Sequence, residues 1–254
     1  MDGPAESLAP LRQRVQQARR IVVLTGAGMS AESGIPTFRD ARSGLWARFD
    51  PMQLASEEGF RADPQRVWTW YAERRIGVLA AQPNAGHRAL GEFTARHPGR
   101  LTVVTQNVDD LHQRAGNVDA IRLHGDILED RWLQDCPRRG GPRCLPGSAQ
   151  PGEPPSCADC GNLVRPGVVW FGENLPEVAL AAAEAAADSA ELMLVVGTSG
   201  AVWPAAGLAA RARHAGAWVA IVNPEASEID DDAQQLVRGT AAGVLPLLFG
   251  EAIA

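Results

Sequence analysis

The chain has 254 residues, 45% of them hydrophobic, which is enough for one large α/β domain with an insertion or for two modest domains. Its formal net charge of −6 and pI of about 5.4 argue against nucleic acid as a primary partner. No apolar run approaches the ~18 residues of a membrane span and the start is not basic-then-apolar, so no membrane partner and no signal peptide are expected, and the expected location is cytoplasmic.

Two compositional facts sharpen this. All 24 cationic residues are Arg, so no side chain of the protein can itself be modified on lysine. The four Cys all lie between Cys136 and Cys160. In a cytosolic chain such clustering favours a metal over disulfides.

In chain order, residues 5–20 place Leu8, Leu11, Val15 and Ala18 on one helical face. Ile21 to Leu24 is a short β-branched run suited to a buried strand. It breaks at once into Gly26-Ala27-Gly28, and with Ala31 the run reads G-x-G-x-x-A. A strand, a glycine turn and a helix start form a dinucleotide cradle, in which the glycines admit a pyrophosphate close to the backbone. Pro36-Thr37-Phe38-Arg39 then places an aromatic and a cation a short loop beyond that cradle. No acidic residue stands where an ordinary dehydrogenase keeps its ribose ligand.

Residues 43–86 are rich in Trp and Arg and predict a helical insertion, with short helices near Met52–Ala55 and from Pro64 to Leu79. A helix from His87 to Arg96 leads to a strand, Leu101–Thr105, with Gln106, Asn107 and Asp109 at its end. Asp110–Ala115 predicts a short helix and Ile121–Leu123 a short strand ending at His124-Gly125. Residues 131–165 carry the four Cys and few apolar residues, a module that needs a staple. Val168–Glu173 returns to the main domain. A helix over 176–190, a strand over 192–196 ending in Gly197-Thr198-Ser199, a helix over 204–215 and a strand over 218–222 ending at Asn223 follow. A final strand is expected over 243–248. The alternation implies an α/β fold, a doubly wound, parallel, Rossmann-like sheet with a small zinc-binding module and a helical insertion. The expected partition is 1–42, 87–130 and 166–254 for the dinucleotide domain, 43–86 for the insertion and 131–165 for the Cys module.

Several constellations stand at expected strand ends, where open parallel sheets bind ligands. His124 ends a strand on the same sheet edge as the cradle, and imidazole suits proton transfer near neutrality. His87, His97, His112 and His214 read as caps or surface residues. Gln106, Asn107 and Asp109 serve either as a strand-stopping turn or as ligands of a sugar. Thr198, Ser199, Asn223 and Glu225 are loop caps or cofactor contacts, with Glu225 suited to ribose hydroxyls and Ala241 offering backbone beside the base. Cys136, Cys144, Cys157 and Cys160 suit tetrahedral, structural zinc. Tyr71 is the only tyrosine, and it shares a helix face with Arg74 at i, i+3. A phenol and a guanidinium so placed can grip one carboxylate, or can belong to a plain amphipathic helix.

GAGMSAESGIPTFR, Thr105-Gln106-Asn107-Val108-Asp109, Leu123-His124-Gly125, Gly197-Thr198-Ser199 and Asn223-Pro224-Glu225 together resemble the sirtuins, the NAD-dependent protein lysine deacylases. The likeness runs along nearly the whole chain. It implies NAD on Gly26, Ala27, Gly28 and Ser30, with Thr37, Phe38 and Arg39 beside it and Phe38 covering the site. It implies His124 as general base, with Asn107 and Asp109 nearest the chemistry. An acylated-lysine protein or peptide is the implied substrate, laid as an added strand on Val169, Trp170, Phe171, Gly172 and Glu173. The products implied are nicotinamide, free lysine and O-acyl-ADP-ribose. The seven residues between Cys136 and Cys144 depart from that family's usual spacing. Tyr71-x-x-Arg74, with Ala55 where a small residue leaves room, resembles the class that removes malonyl, succinyl and glutaryl groups. The rival expectations are a plain deacetylase, an NAD-dependent ADP-ribosyltransferase and a non-catalytic NAD sensor. The oligomeric state stays open.

Overall fold

A computed structural model of the chain describes residues 4–37, 50–136 and 152–251. Phe38, Arg39 and Cys144 lie outside the described residues. The first elements are α1 (Pro4–Gln17), β1 (Ile21–Thr25), α2 (Gly28–Ala31), α3 (Pro51–Leu54), α4 (Glu57–Ala62), α5 (Pro64–Ala80) and α6 (Ala85–Arg96). Next come β2 (Leu101–Thr105), α7 (Leu111–Arg114), β3 (Ile121–Arg122), β4 (Gly125–Trp132) and β5 (Val164–Val168). The chain continues with α8 (Glu177–Ser189), β6 (Leu192–Val196), α9 (Gly207–His214), β7 (Trp218–Val222), β8 (Gln235–Val237) and α10 (Ala241–Phe249). None of these helices is long and apolar enough to cross a membrane.

Two compact units result: residues 1–37, 81–123 and 175–254 in one, residues 38–80 and 124–174 in the other. This differs from the sequence-based partition. Residues 124–130 and 166–174 leave the dinucleotide domain for the second unit, which also holds the Cys module and the insertion up to residue 80, while residues 81–86 join the first unit. The reason is β4, a strand that sequence analysis did not foresee. It pairs antiparallel with β5, Gly125 opposite Val168 and Trp132 opposite Val164.

The first unit is a six-stranded parallel sheet in the order β3-β2-β1-β6-β7-β8. β1 is fully buried and pairs in register with β2 on one side and β6 on the other. Both faces of such a strand are covered, which is why it reads as a continuous apolar run. Ile21 and Val23 face one core with Leu11 and Val15 of α1, Leu90 and Phe93 of α6, and Leu245 and Leu248 of α10. Val22 and Leu24 face the other with Ala183 and Ala187 of α8 and Leu208 and Ala212 of α9. Alternate side chains of one strand thus feed two helical layers, the doubly wound arrangement. Strand order reverses between β1 and β6, the switch point at which such sheets take ligands.

The expected final strand over 243–248 is instead α10. The Thr240 side chain caps it by accepting from the Gly243 N–H at 3.2 Å, and Val244, Leu245, Leu248 and Phe249 form its buried side. A six-residue apolar run containing Pro246 does not distinguish strand from helix by periodicity, and the packing against α1 and α6 decides. The last strand of the sheet is β8, three residues long and too short to announce itself in sequence.

In the second unit, α5 lies against β4. Arg75 donates to the carbonyls of Ile127 at 2.6 Å and Glu129 at 3.0 Å and pairs with Asp130 at 2.5 Å. Ser56 caps α4 through the Gly59 N–H at 3.0 Å. The residues after α3 are bonded to the segment after β5, with the Phe171 N–H donating to the Ala55 carbonyl at 2.8 Å.

Candidate active site

In the first unit the loops after β1 and β6 meet at the switch point. The Gly26 N–H donates to the Val196 carbonyl at 3.0 Å and the Gly28 N–H to the Gly197 carbonyl at 2.8 Å. A Cβ on Gly28 would sit 2.8 Å from the Gly197 Cα, so only glycine lets the two loops cross this closely. These two amides tie the loops after β1 and β6 together at the expected cradle.

Beside this crossing lies a chain of buried hydroxyl, amide and carboxyl groups. Thr25 and Thr105 are register partners on β1 and β2, and the Thr25 hydroxyl donates to the Thr105 hydroxyl at 2.8 Å. The Asn107 N–H donates to the same Thr105 oxygen at 3.0 Å. The Asn107 side-chain amide donates to the Ser30 hydroxyl at 3.1 Å, and that hydroxyl donates to Asp109 Oδ2 at 2.9 Å. The Leu111 N–H holds Asp109 Oδ1 at 3.1 Å. Burial raises the Asp109 pKa, against the lowering pull of the Leu111 N–H and Ser30. Three expected residues from two separate motifs, Ser30, Asn107 and Asp109, are thus brought into one network.

The wider rim has the same construction. The Gln106 side-chain amide donates to the Thr198 hydroxyl at 3.3 Å, and that of Asn223 to the Thr198 carbonyl at 3.2 Å. Ser199 accepts the Glu228 N–H at its carbonyl at 2.8 Å. Glu225 gives its carbonyl to Arg238 at 2.7 Å. Ala241 opens α10.

Thr25, Thr105 and His112 join this network although none was expected to have a role in the site. His112 is buried with Nε2 3.0 Å from the Thr25 hydroxyl, and its ring meets that of His87 edge to face at 4.8 Å. The surface-or-cap reading therefore fails for His112. For His87 it holds in part, since its ring closes the cap of α6 with Asn84 while being fully buried. The signal available was that β1 and β2 both end in Thr.

His124 opens the second unit, directly after Leu123, whose N–H donates to the Thr105 carbonyl at 2.9 Å. The His124 carbonyl accepts the Val169 N–H at 2.9 Å. Gly125 follows with φ +80°, and a Cβ there would lie 2.2 Å from the Gly167 carbonyl oxygen. The His-Gly pair is therefore set by the tight start of the β4–β5 ribbon.

Val169 and Phe171 spend their N–H groups within the unit, on His124 and Ala55. The expected added strand cannot use those donors. Glu173 is held by Arg165 at Oε1 and Oε2, by Arg131 at 2.7 Å and by the Trp170 N–H at 2.8 Å. Burial alone would raise its pKa, but these cationic and N–H donors keep it below the usual carboxylate value. Tyr71 is 2% exposed and Arg74 stacks beside it, 4.7 Å from the Trp70 ring centre and 5.5 Å from that of Tyr71.

Cys136, Cys157 and Cys160 bring three Sγ atoms within 4.8 Å of one another, Cys136 and Cys160 at 3.5 Å. Zn–S bonds of about 2.3 Å put tetrahedral sulfurs roughly 3.8 Å apart, so this donor set fits one zinc. The knuckle is shaped by the Cys157 N–H donating to the Asn162 carbonyl at 2.7 Å, with Gly161 at φ +73°.

A switch-point cradle, a strand-end network of amide and carboxyl groups and a thiolate knuckle define a dinucleotide-using α/β protein with a structural metal site. The chain belongs to the Sir2 family, whose model matches residues 26–204. It is similar to an NAD-dependent protein deacylase of Ralstonia nicotianae, 50% identical over 247 residues, 96% of this chain and 98% of that one. A solved Sir2 homologue–NAD complex is 40% identical with a TM-score of 0.83, over 95% of this chain and 92% of that one. Sir2Tm bound to a propionylated peptide is 30% identical with a TM-score of 0.77, over 94% of this chain and 95% of that one.

Proposed function

We propose that this chain is an NAD-dependent protein-lysine deacylase that removes malonyl and succinyl groups. Family membership and relatives named as deacylases support the general class. NAD, when bound, supplies the ADP-ribosyl group that accepts the acyl oxygen. Gly26, Ala27, Gly28, Ser30, Thr37, Phe38 and Arg39 are assigned to its phosphates and nicotinamide side. Thr198, Ser199, Asn223, Glu225 and Ala241 are assigned to its adenosine side, and Gln106 to the nicotinamide ribose. Asn107 and Asp109 orient the reacting sugar, and the Thr25–Thr105 pair beneath holds Asn107 in place. His124 takes a proton from a sugar hydroxyl, a role for which the imidazole side chain is chemically suited. One zinc on Cys136, Cys157 and Cys160, with Cys144 as fourth thiolate, closes the Cys module.

The acylated lysine enters beside Val169, Phe171 and Gly172. Tyr71 and Arg74 take the acyl carboxylate, and Ala55 leaves room for the chain. The single observation carrying the acidic-acyl reading is a protonated, buried phenol with a guanidinium 5.5 Å from its ring centre. The stacking of Arg74 on Trp70 favours the plain deacetylase as second reading, because it gives the guanidinium another partner. Acetyl- and succinyl-peptides compared side by side decide. Arg74→Met should lower kcat/KM for the succinyl-peptide by about 30-fold or more while sparing the acetyl-peptide, since removing one partner of a charge pair that the bound acyl chain shields from water costs about 2–5 kcal/mol. Equal loss on both would sink the carboxylate clamp. Mass spectrometry must also find O-acyl-ADP-ribose; its absence with ADP-ribosylated protein present would favour the transferase.

A further inference from the structure

We propose that Trp170 is a specificity-determining positioning residue, whose indole N–H fixes the Tyr71 phenol as a hydrogen-bond donor toward an anionic acyl terminus. The inference rests on the acidic-acyl reading above. Trp170 is 1% exposed, and its Nε1–H donates to the Tyr71 hydroxyl oxygen at 3.0 Å. An indole N–H only donates, so the phenol oxygen must accept. The phenol's own hydrogen is then left for another acceptor, and among the described residues no second partner takes it. Burial raises the Tyr71 pKa, so that hydrogen is present at neutral pH. An O–H donor beside a guanidinium matches a group that only accepts and carries negative charge, which is a carboxylate. The methyl of an acetyl group offers neither property.

The indole is held so that this direction does not drift. The Arg165 guanidinium lies 3.3 Å over its ring, and the Phe60 ring sits 5.2 Å away, centre to centre. Arg165 is itself 1% exposed, paired with Glu173 and donating to the Val168 carbonyl at 2.6 Å. Glu173 accepts the Trp170 N–H, and its own N–H returns to the Trp170 carbonyl at 3.1 Å. Gly172, at φ +86°, allows that tight turn. A buried cation, a carboxylate and a turn therefore converge on one indole, and the indole aims one phenol.

The test is kinetic, with acetyl- and succinyl-peptides on wild type, Trp170→Phe, Tyr71→Phe and the double variant. Trp170→Phe keeps a ring and removes the donor. The succinyl-to-acetyl ratio of kcat/KM should fall about 10-fold, mainly through KM for the succinyl-peptide, as expected for one buried hydrogen bond. In the Tyr71→Phe background the same change should have no further effect on the ratio. Benzothienylalanine at position 170, which keeps the indole shape without the N–H, should behave as Trp170→Phe does and covers the case in which that variant folds poorly. Tyr71 is the only tyrosine, so ultraviolet titration of the folded protein reads it alone. Loss of the indole donor should move its ionisation to higher pH. An unchanged ratio, or equal loss on both peptides, overturns the role of Trp170. If Arg74→Met collapses the ratio while Trp170→Phe does not, only this inference falls. If neither changes it, the acidic-acyl reading falls with it.

Discussion

Acid should weaken the first unit through two imidazoles. His87 and His112 are 0% and 1% exposed. Burial, then the His112 ring and Arg114, hold the His87 pKa down at about 3. Burial, then Arg122, hold that of His112 at about 4. An ordinary imidazole titrates at 6.5, so both folded values lie below the unfolded one. As pH falls, the unfolded chain takes up these protons first. The stability they contribute is complete above 6.5 and is lost as pH drops toward the folded values. Each pH unit in that window costs about 1.4 kcal/mol per ring, or about 2–3 kcal/mol for the pair one unit below the unfolded pKa. Asp109 acts in the opposite sense, because its raised pKa adds stability as pH falls. The assay therefore works by difference: urea unfolding of wild type and His112→Gln at neutral pH and at about pH 5.5. The variant should lose about half as much stability as wild type over that interval. Parallel losses would refute the assignment of His112 as a neutral buried ring.

Three other outcomes follow from the site. His124→Ala or Tyr should reduce turnover by about 100-fold or more while calorimetric NAD binding persists, and retained turnover would remove His124 from its role. Metal analysis should give one zinc per chain, lost in Cys157→Ser; if Cys144→Ser keeps its zinc, the fourth ligand is not Cys144. Gly28→Ala puts a Cβ 2.8 Å from Gly197, and overpacking of this kind costs about 1–3 kcal/mol. Both the melting temperature and NAD affinity should fall, whereas unchanged values would mean the two loops separate freely.

The sequence by itself determined the parallel sheet and singled out Ser30, Asn107 and Asp109, which the fold joins by hydrogen bonds. Ile21–Thr25 and Leu192–Val196 are legible because strands buried on both faces must be apolar throughout. Glycine and polar residues at their ends are legible because a loop crossing at the switch point tolerates little else. Local pattern could not decide α10, since its apolar run fits two periods and only its bed on α1 and α6 selects the helix. It could not foresee that His112 is buried or that Glu173 belongs to Arg165, because the partners are far apart in the chain or on another element. The same holds for Tyr71, whose donor Trp170 is 99 residues away. Burial makes a polar group acceptable only where a partner meets it, and which partner arrives is decided by tertiary packing alone.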